Sequence, residues 1–460
     1  MPISDPEEHH PSYYEARDGL MTRICTPGGF LTSAQALLLA QVADEFAGGK
    51  LSITSRANVL VRALHAPLPG NVVELLRDAD LISARPEVDH LRNIMASPTA
   101  GLDPGAVLDT GPLVSALDAY LMAHPELGVL PMKFSIGLDG GERASIAGQP
   151  NDVLFRAYRR DGAPAFRVLT RMGHDADVQV DLGIALRPAQ VVPLVAAIAA
   201  RYVEALPRDG SQPHLHHLLD GVTAGNFRET LAARVPDLDV APAPDLPVTA
   251  PPPPIGIYPQ ASLVGSGSQM YLGTAPFIGA LGSIQFRDLA GLARRYGSDT
   301  LRLSPWRNVI LPDVVPSNVD ALQAALEASG LLTRPESVGA AIVACAGRVG
   351  CSEGLVDTMR DARALNARLA GRMLRDRARS DQPPSVHFAG CEKCCAQRRP
   401  AGVTFLGRPG DTETYDVYVS TGPTGGTARL GQLMLAGVPA GAIIDVGERI
   451  VADGVYSLDR

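Results

Sequence analysis

Along residues 28–64 the apolar positions change period once. In GGFLTSAQALLLAQVADEFAGG, residues Leu31, Gln35, Leu38, Leu39, Val42 and Phe46 recur at helical spacing, and Thr32 or Ser33 is placed to cap the helix. Gly48 and Gly49 end it. LSITSRANVLVRAL then alternates and is rich in β-branched residues, which predicts a strand. The same unit returns 250 residues later as IGALGSIQFRDLAGLARRYGSDTLRLSPWRNVIL, in register and without a gap. Gly29/Gly279, Gln35/Gln285, Ala40/Ala290, Asn58/Asn308 and Val59/Val309 are identical pairs, and Phe46/Tyr296 and Ile53/Leu303 are conservative swaps. A chance helix–strand pattern does not hold register over such a length, so the repeat reads as an internal duplication.

Further helical periodicity predicts helices near 71–79, 112–123, 188–204, 316–328 and 355–376, and strands near 133–138, 165–170, 178–185, 403–406 and 415–419. Interleaved helices and strands predict an α+β fold with mixed and antiparallel sheets. Two related halves pack most simply around a pseudo-twofold axis, with a ligand site at their junction. Proline crowds residues 241–259 (APAPDLPVTAPPPPIGIYP), which stiffens the chain into a linker. The expected organisation is a flexible N-terminus at 1–17, a first half at 18–240, the linker, and a second half at 260–460.

Charge refines this little. The formal net charge is −8, which argues against bulk nucleic-acid binding but permits a locally positive cleft. The longest apolar stretch, VVPLVAAIAARYVEAL, is short and is interrupted by Arg201, so it predicts a buried helix rather than a membrane span. No apolar leader is visible at the N-terminus, and a cytoplasmic, reducing location is expected.

Cysteine changes the picture most. Cys345 and Cys351 form C-x5-C, and Cys391 and Cys395 form C-x3-C beyond a 39-residue gap. Four thiolates on two loops suit a [4Fe–4S] cluster, whose irons each take one soft ligand. A zinc site fits the spacing poorly, and unrelated buried thiols are the other alternative. Cys394 reads as a bystander and Cys25 as a core residue. HLHH (214–217) reads as a solvated helical face. VGSGSQM (264–270) lacks the frame of a dinucleotide loop.

The cysteine spacing, following an RNV-type strand in a duplicated half-domain, resembles the nitrite/sulfite reductase family from about residue 18 to 425. In that family the cluster sits beside sirohaem at the junction of the halves. The resemblance carries three of the family's four basic site residues onto Arg56, Arg92 and Lys133, while Ser135 stands where the fourth, a lysine, is expected. SPWRNVILP, RNIMASPTAGLDP, CAGRVGC and HFAGCEKCCA resemble the precorrin-3B synthase subfamily, with Cys394 replacing a usual glycine. That likeness implies an oxygen-dependent monooxygenase converting precorrin-3A by C20 hydroxylation and γ-lactone closure. It implies a [4Fe–4S] cluster and a mononuclear non-haem iron without sirohaem, dioxygen as cosubstrate, and electrons from NADH through a separate reductase.

Guanidinium and ammonium groups suit a substrate ringed by carboxylates, which nominates Arg56, Arg92, Lys133 and Arg307 as contacts. His387, Lys393 and Asn58 are candidate catalytic groups. The ligands of the mononuclear iron show no local spacing. A sirohaem-dependent sulfite or nitrite reductase is the alternative, and a non-catalytic Fe–S or tetrapyrrole-binding protein a third reading.

Overall fold

The computed structural model describes residues 11–173, 179–241, 246, 254–261, 268–370, 385–397, 400–420 and 430–453. The duplicated unit folds as its pattern predicts. Helices Ser33–Phe46 and Ser283–Tyr296 occupy equivalent positions and pack against each other. Thr32 caps the first through a reciprocal contact with Gln35, which satisfies backbone groups the helix leaves unpaired. Strands Lys50–Ile53 and Val59–Leu64 match Thr300–Leu303 and Val309–Val314. The backbone repeats in detail. Positive φ recurs at Gly28/Ile278, Gly29/Gly279, Gly49/Asp299, Ala57/Arg307 and Ala63/Asp313.

The two units are not separate halves. Each lends an edge strand to the other's sheet. Ala280–Gly282 pairs with Lys50–Ile53, and Phe30–Thr32 pairs with Thr300–Leu303. Residues from 13 to 82 and from 272 to 331 therefore share one hydrophobic core, which includes Leu39, Ala43, Leu289 and Ala293. Two outer domains have their own cores, one within 88–235 and one within 278–451.

These outer domains are also copies. In the first, strands Ile94–Ala96, Ile136–Asp139 and Val153–Arg160 run parallel, and Ala163–Arg171 and Gln179–Leu186 follow antiparallel. In the second, Ile342–Ala344, Val386–Ala389 and Val403–Arg408 run parallel, and Thr414–Val419 and Gln432–Pro439 follow antiparallel. The registers coincide: Ala96 faces Leu138 as Ala344 faces Phe388. The duplication thus extends through most of the chain.

Several boundaries move. Tyr13–Ala16 is a strand with Tyr13 buried, so residues 13–16 are not part of a flexible arm, and residues 1–10 lie outside the described residues. Gly256–Pro259 pairs with Met270–Pro276 and leaves the linker, whose residues 242–245 and 247–253 lie outside the described residues. Residues 264–267 of VGSGSQM and 371–376 of the expected 355–376 helix lie outside them too. The apolar stretch forms the buried helix Val191–Ala205. No helix among the described residues is long and apolar enough to cross a membrane. HLHH is not a solvated face, because His216 is buried while His217 is exposed.

Candidate active site

Two loops follow equivalent strand ends and carry the four informative thiols. Cys345 leaves strand Ile342–Ala344, and Cys391 follows Val386–Ala389. The strands are neighbours, so the loops are too, and backbone hydrogen bonds lock them together. Cys345 N–H donates to Phe388 O at 3.2 Å, and Leu355 N–H donates to Gly390 O at 2.9 Å. Gly390 N–H donates to Cys345 Sγ at 3.1 Å, the kind of contact that stabilises a thiolate. A Cβ on Gly390 would lie 3.2 Å from Cys345 Sγ, and one on Gly354 would lie 2.4 Å from the Gly347 backbone. Small residues are therefore required where the loops meet. Cys394 is turned away at φ 47° and packs with Ala389 and Leu406, as expected of a bystander. Cys25 is a core residue whose thiol burial pushes up to about 12.

Beside these loops lies a cavity of about 430 Å³, within the roughly 300–1,000 Å³ range of small-molecule sites. Equivalent positions of both copies line it: Arg56 with Trp306, Met95 with Val343, Ser145 with Cys395, and Pro150 with Pro400. The cavity thus straddles the junction. Its apolar wall includes Ile255, Ile278, Trp306 and Leu332.

The nominated residues divide. Arg56 and Arg307 line the cavity. Arg56 donates to Asn151 Oδ1 at 3.1 Å and to Pro150 O at 3.2 Å. Arg307 reaches Ala344 O at 3.2 Å and Cys395 O at 3.4 Å, so it bridges the two cysteine loops. Burial lowers its pKa, and Cys345 and Cys395 oppose that shift. Arg92 is elsewhere. It is buried and held by both oxygens of Asp118 at 3.0 Å and by Asp80. Its partners push its pKa up despite the opposing desolvation. Lys133 is exposed and outside the cavity lining.

Lys393 is likewise exposed and paired with Glu353 at 3.3 Å. His387 is buried behind the cysteine loop on strand Val386–Ala389, and its Nε2 has no partner among the described residues. Burial, reinforced by Arg307, pushes it down to about 4, so it is neutral near pH 7. Asn58 is a tie between elements: Thr26 N–H donates to its Oδ1 at 3.0 Å, and its Nδ2 donates to Asn93 at 2.9 Å. Its duplicate Asn308 lines the cavity instead, with a buried Nδ2 that has no partner among the described residues. The duplication itself was the signal that could have found it.

Comparison with known proteins now decides the family. The description "Nitrite/Sulfite reductase ferredoxin-like half domain" matches residues 14–78 and 265–329, the two units that exchange strands. The description "Nitrite and sulphite reductase 4Fe-4S domain" matches residues 87–237. The chain belongs to the nitrite and sulfite reductase family. Relatives within it include the chloroplastic ferredoxin–nitrite reductase of Zea mays, 28% identical over 96% of this chain and 79% of that protein. The ferredoxin–nitrite reductase of Synechococcus elongatus is 29% identical over 94% and 86% respectively. The sulfite reductase [ferredoxin] of Mycobacterium tuberculosis is 26% identical over 87% and 73%. The fold matches that of the Mycobacterium tuberculosis NirA protein at a TM-score of 0.78, with 23% identity over 96% of this chain and 82% of that one.

These relatives overturn the expected conversion of precorrin-3A, and with it dioxygen and NADH through a separate reductase. Ser135, the departure from the reductase pattern, and Cys394, the departure from the precorrin-3B synthase pattern, both serve packing. Ser135 is fully buried and donates to Asp152 through its N–H and Oγ at 3.0 and 2.9 Å. Cys394 fills an apolar cluster. The relatives do not support a mononuclear iron in the reaction, nor the exclusion of sirohaem. The 4Fe–4S domain of the family is present, yet residues 87–237 contain no cysteine. The thiols belong to the second copy of that domain.

Proposed function

We propose that this member of the nitrite and sulfite reductase family reduces nitrite or sulfite. Cys345, Cys351, Cys391 and Cys395 would hold a [4Fe–4S] cluster and the junction cavity would hold sirohaem, with a ferredoxin-type protein as electron donor. The observation that carries the reading is the position of Cys395, which belongs to the interlocked thiol loops and also lines the cavity both copies build. Similarity over 73–86% of the length of ferredoxin-dependent nitrite and sulfite reductases supports it.

The residues fit the groups. Four thiolates suit four irons, and the glycines at 347, 354 and 390 leave room where a Cβ would collide. Apolar walls suit a flat macrocycle, and Arg56 and Arg307 suit its carboxylates. When bound, the two groups would supply electrons one at a time and an open iron position for the anion. The chain does the rest. The Arg307 guanidinium, beside Cys345 and Cys395, stabilises negative charge that arrives there. Asn308 has an N–H to donate at the cavity wall. Trp306 and Ile278 exclude water from one side.

The test is anaerobic production with sirohaem supplied, followed by visible spectroscopy and turnover with reduced ferredoxin. Tetrapyrrole bands together with reduction of nitrite or sulfite are expected. An intact cluster with no bound tetrapyrrole and no turnover of either anion would refute the reading.

A further inference from the structure

Far along the first outer domain, three metal-binding side chains converge that no motif announces. One donor atom each from Asp152, His214 and His216 lies within 4.8 Å of the others. We propose that they form a mononuclear site for a divalent first-row transition ion, zinc or ferrous iron, separate from the thiol loops.

Two of the three residues carry a buried donor with no partner among the described residues. His216 is 3% exposed and its Nδ1 has no hydrogen-bond partner among the described residues. Asp152 is 1% exposed, and its Oδ1 has none either. Leaving such atoms unsatisfied is costly unless something fills the gap. The carboxylate is already aimed. Ser135 holds Oδ2 through its N–H and Oγ, which turns Oδ1 outward in the manner of an outer-shell support for a metal ligand. The histidine segment is fastened as well. Tyr202 OH donates to Pro213 O at 2.6 Å, and the His214 and His216 rings stack with centroids 5.3 Å apart. Two imidazoles and one carboxylate are the donor set of three-coordinate protein sites that keep positions open for water. Bonds of about 2.0–2.2 Å would draw the three atoms closer than they now stand.

The competing reading is an ion pair, since Arg171 Nη1 lies 3.7 Å from Asp152 Oδ1. That distance is too long for a hydrogen bond. The site also belongs to one copy alone. Strand register makes Gly402 the equivalent of Asp152, and glycine offers no side-chain ligand. Asn151, next in the chain, accepts from Arg56 at the cavity wall. An ion at Asp152 would therefore anchor the backbone on which Arg56 rests.

This site does not depend on the reaction proposed above, and its test reads metal rather than turnover. In the full-length holoprotein, zinc, iron and acid-labile sulfide are measured together. We expect one equivalent of zinc, or one of iron beyond the sum of labile sulfide and extractable tetrapyrrole, and the metal found decides between the two ions. Asp152→Asn and His216→Gln should each lose that equivalent and keep their labile sulfide, whereas His217→Gln keeps both. Cobalt(II) added to chelator-treated wild type should give ligand-field bands, which keeps the test valid if a variant folds poorly. Ligand loss should weaken cobalt binding by more than the roughly 10–100-fold seen for outer-shell changes. Wild type with no zinc, no iron beyond that of the cluster and the extractable tetrapyrrole, and no cobalt bands would overturn the site in favour of the Arg171 pair. Full metal retention in folded Asp152→Asn and His216→Gln would overturn it as well.

Discussion

The two copies build the same pair of loops and put different chemistry on them. Strand register sets Ser97 against Cys345, Gly141 against Cys391 and Ser145 against Cys395. In the first copy the hydroxyls are satisfied internally: Ser97 Oγ donates to Ala144 O at 3.1 Å, and Ser145 Oγ donates to Asp139 at 2.5 Å. In the second copy thiols stand in place of the hydroxyls, and Arg307 bridges their loops. The inner hairpins differ likewise. Asn58 is bonded at both ends of its amide, while Asn308 Nδ2 at the cavity has no partner among the described residues. A duplicated scaffold thus assigns structure to one copy and reactive groups to the other. The backbone is common to both, so only side chains had to change.

The largest effect should come from exchanging that chemistry. Cys345→Ser or Cys395→Ser is expected to abolish the cluster's visible absorbance and all turnover. Ser97→Ala, its first-copy counterpart, should leave the cluster intact and cost about 1 kcal/mol in urea unfolding. An intact cluster in either cysteine variant would break the comparison.

The next effect separates the paired glycines. A Cβ at Gly29 would stand 2.3 Å from the Leu303 carbonyl oxygen, which is fixed by its strand. At Gly279 the nearest atom is Arg307 Cδ at 2.6 Å, on a side chain that can swing aside. Both residues sit at positive φ. Gly29→Ala should therefore destabilise by about 2–5 kcal/mol, and Gly279→Ala by about 1–2 kcal/mol with lowered activity as Arg307 shifts. Equal unfolding midpoints would contradict this.

Acid should discriminate between the outer domains. His387 has a folded pKa pushed down to about 4 by burial and by Arg307, below its unfolded value of about 6.5. Between those values the unfolded chain binds the extra proton, so stability is complete above about pH 6.5 and falls as pH drops towards 4. The loss is roughly 3 kcal/mol by pH 4. The equivalent first-copy position is Gly137, which does not titrate. His387→Gln should flatten this part of the stability–pH profile, and an unchanged slope would show that another group carries it.

The smallest contrast lies between the two asparagines. Asn58→Ala strands the Thr26 N–H and Asn93 in a buried setting and should cost about 2 kcal/mol. Among the described residues Asn308→Ala loses only the bond its Oδ1 accepts from Ser304 Oγ, so its stability cost should be about 1 kcal/mol, with the larger change in substrate affinity. The reverse ranking in unfolding and kinetic assays would break the assignment of structural and reactive roles.

Much of the fold could be read from the chain before any coordinates. Helix Ser33–Phe46, its cap at Thr32, the strand after it and their repetition at 283–314 all follow local periodicity. Arg56 and Arg307 owe their nomination to the resemblance and the repeat rather than to period, and both line the cavity. The exchanged edge strands were not legible, because strands as short as Phe30–Thr32 and Ala280–Gly282 carry too few residues to show a period. The outer-domain duplication escaped notice because its copies share strand order and register rather than residues. Arg92 misled because its motif says nothing of Asp118, 26 positions away, which binds it.

What the sequence by itself determined is where helices and strands form, that a unit occurs twice, and that one pair of loops carries thiols. These depend on side-chain period and spacing within short windows, where neighbours along the chain are neighbours in space. Only the tertiary structure decided that the units share a core, that Asn308 rather than Asn58 meets the cavity, and that Asp152 meets His214 and His216. Those outcomes depend on which strands pair across long separations, and such pairing places side chains that no local pattern relates.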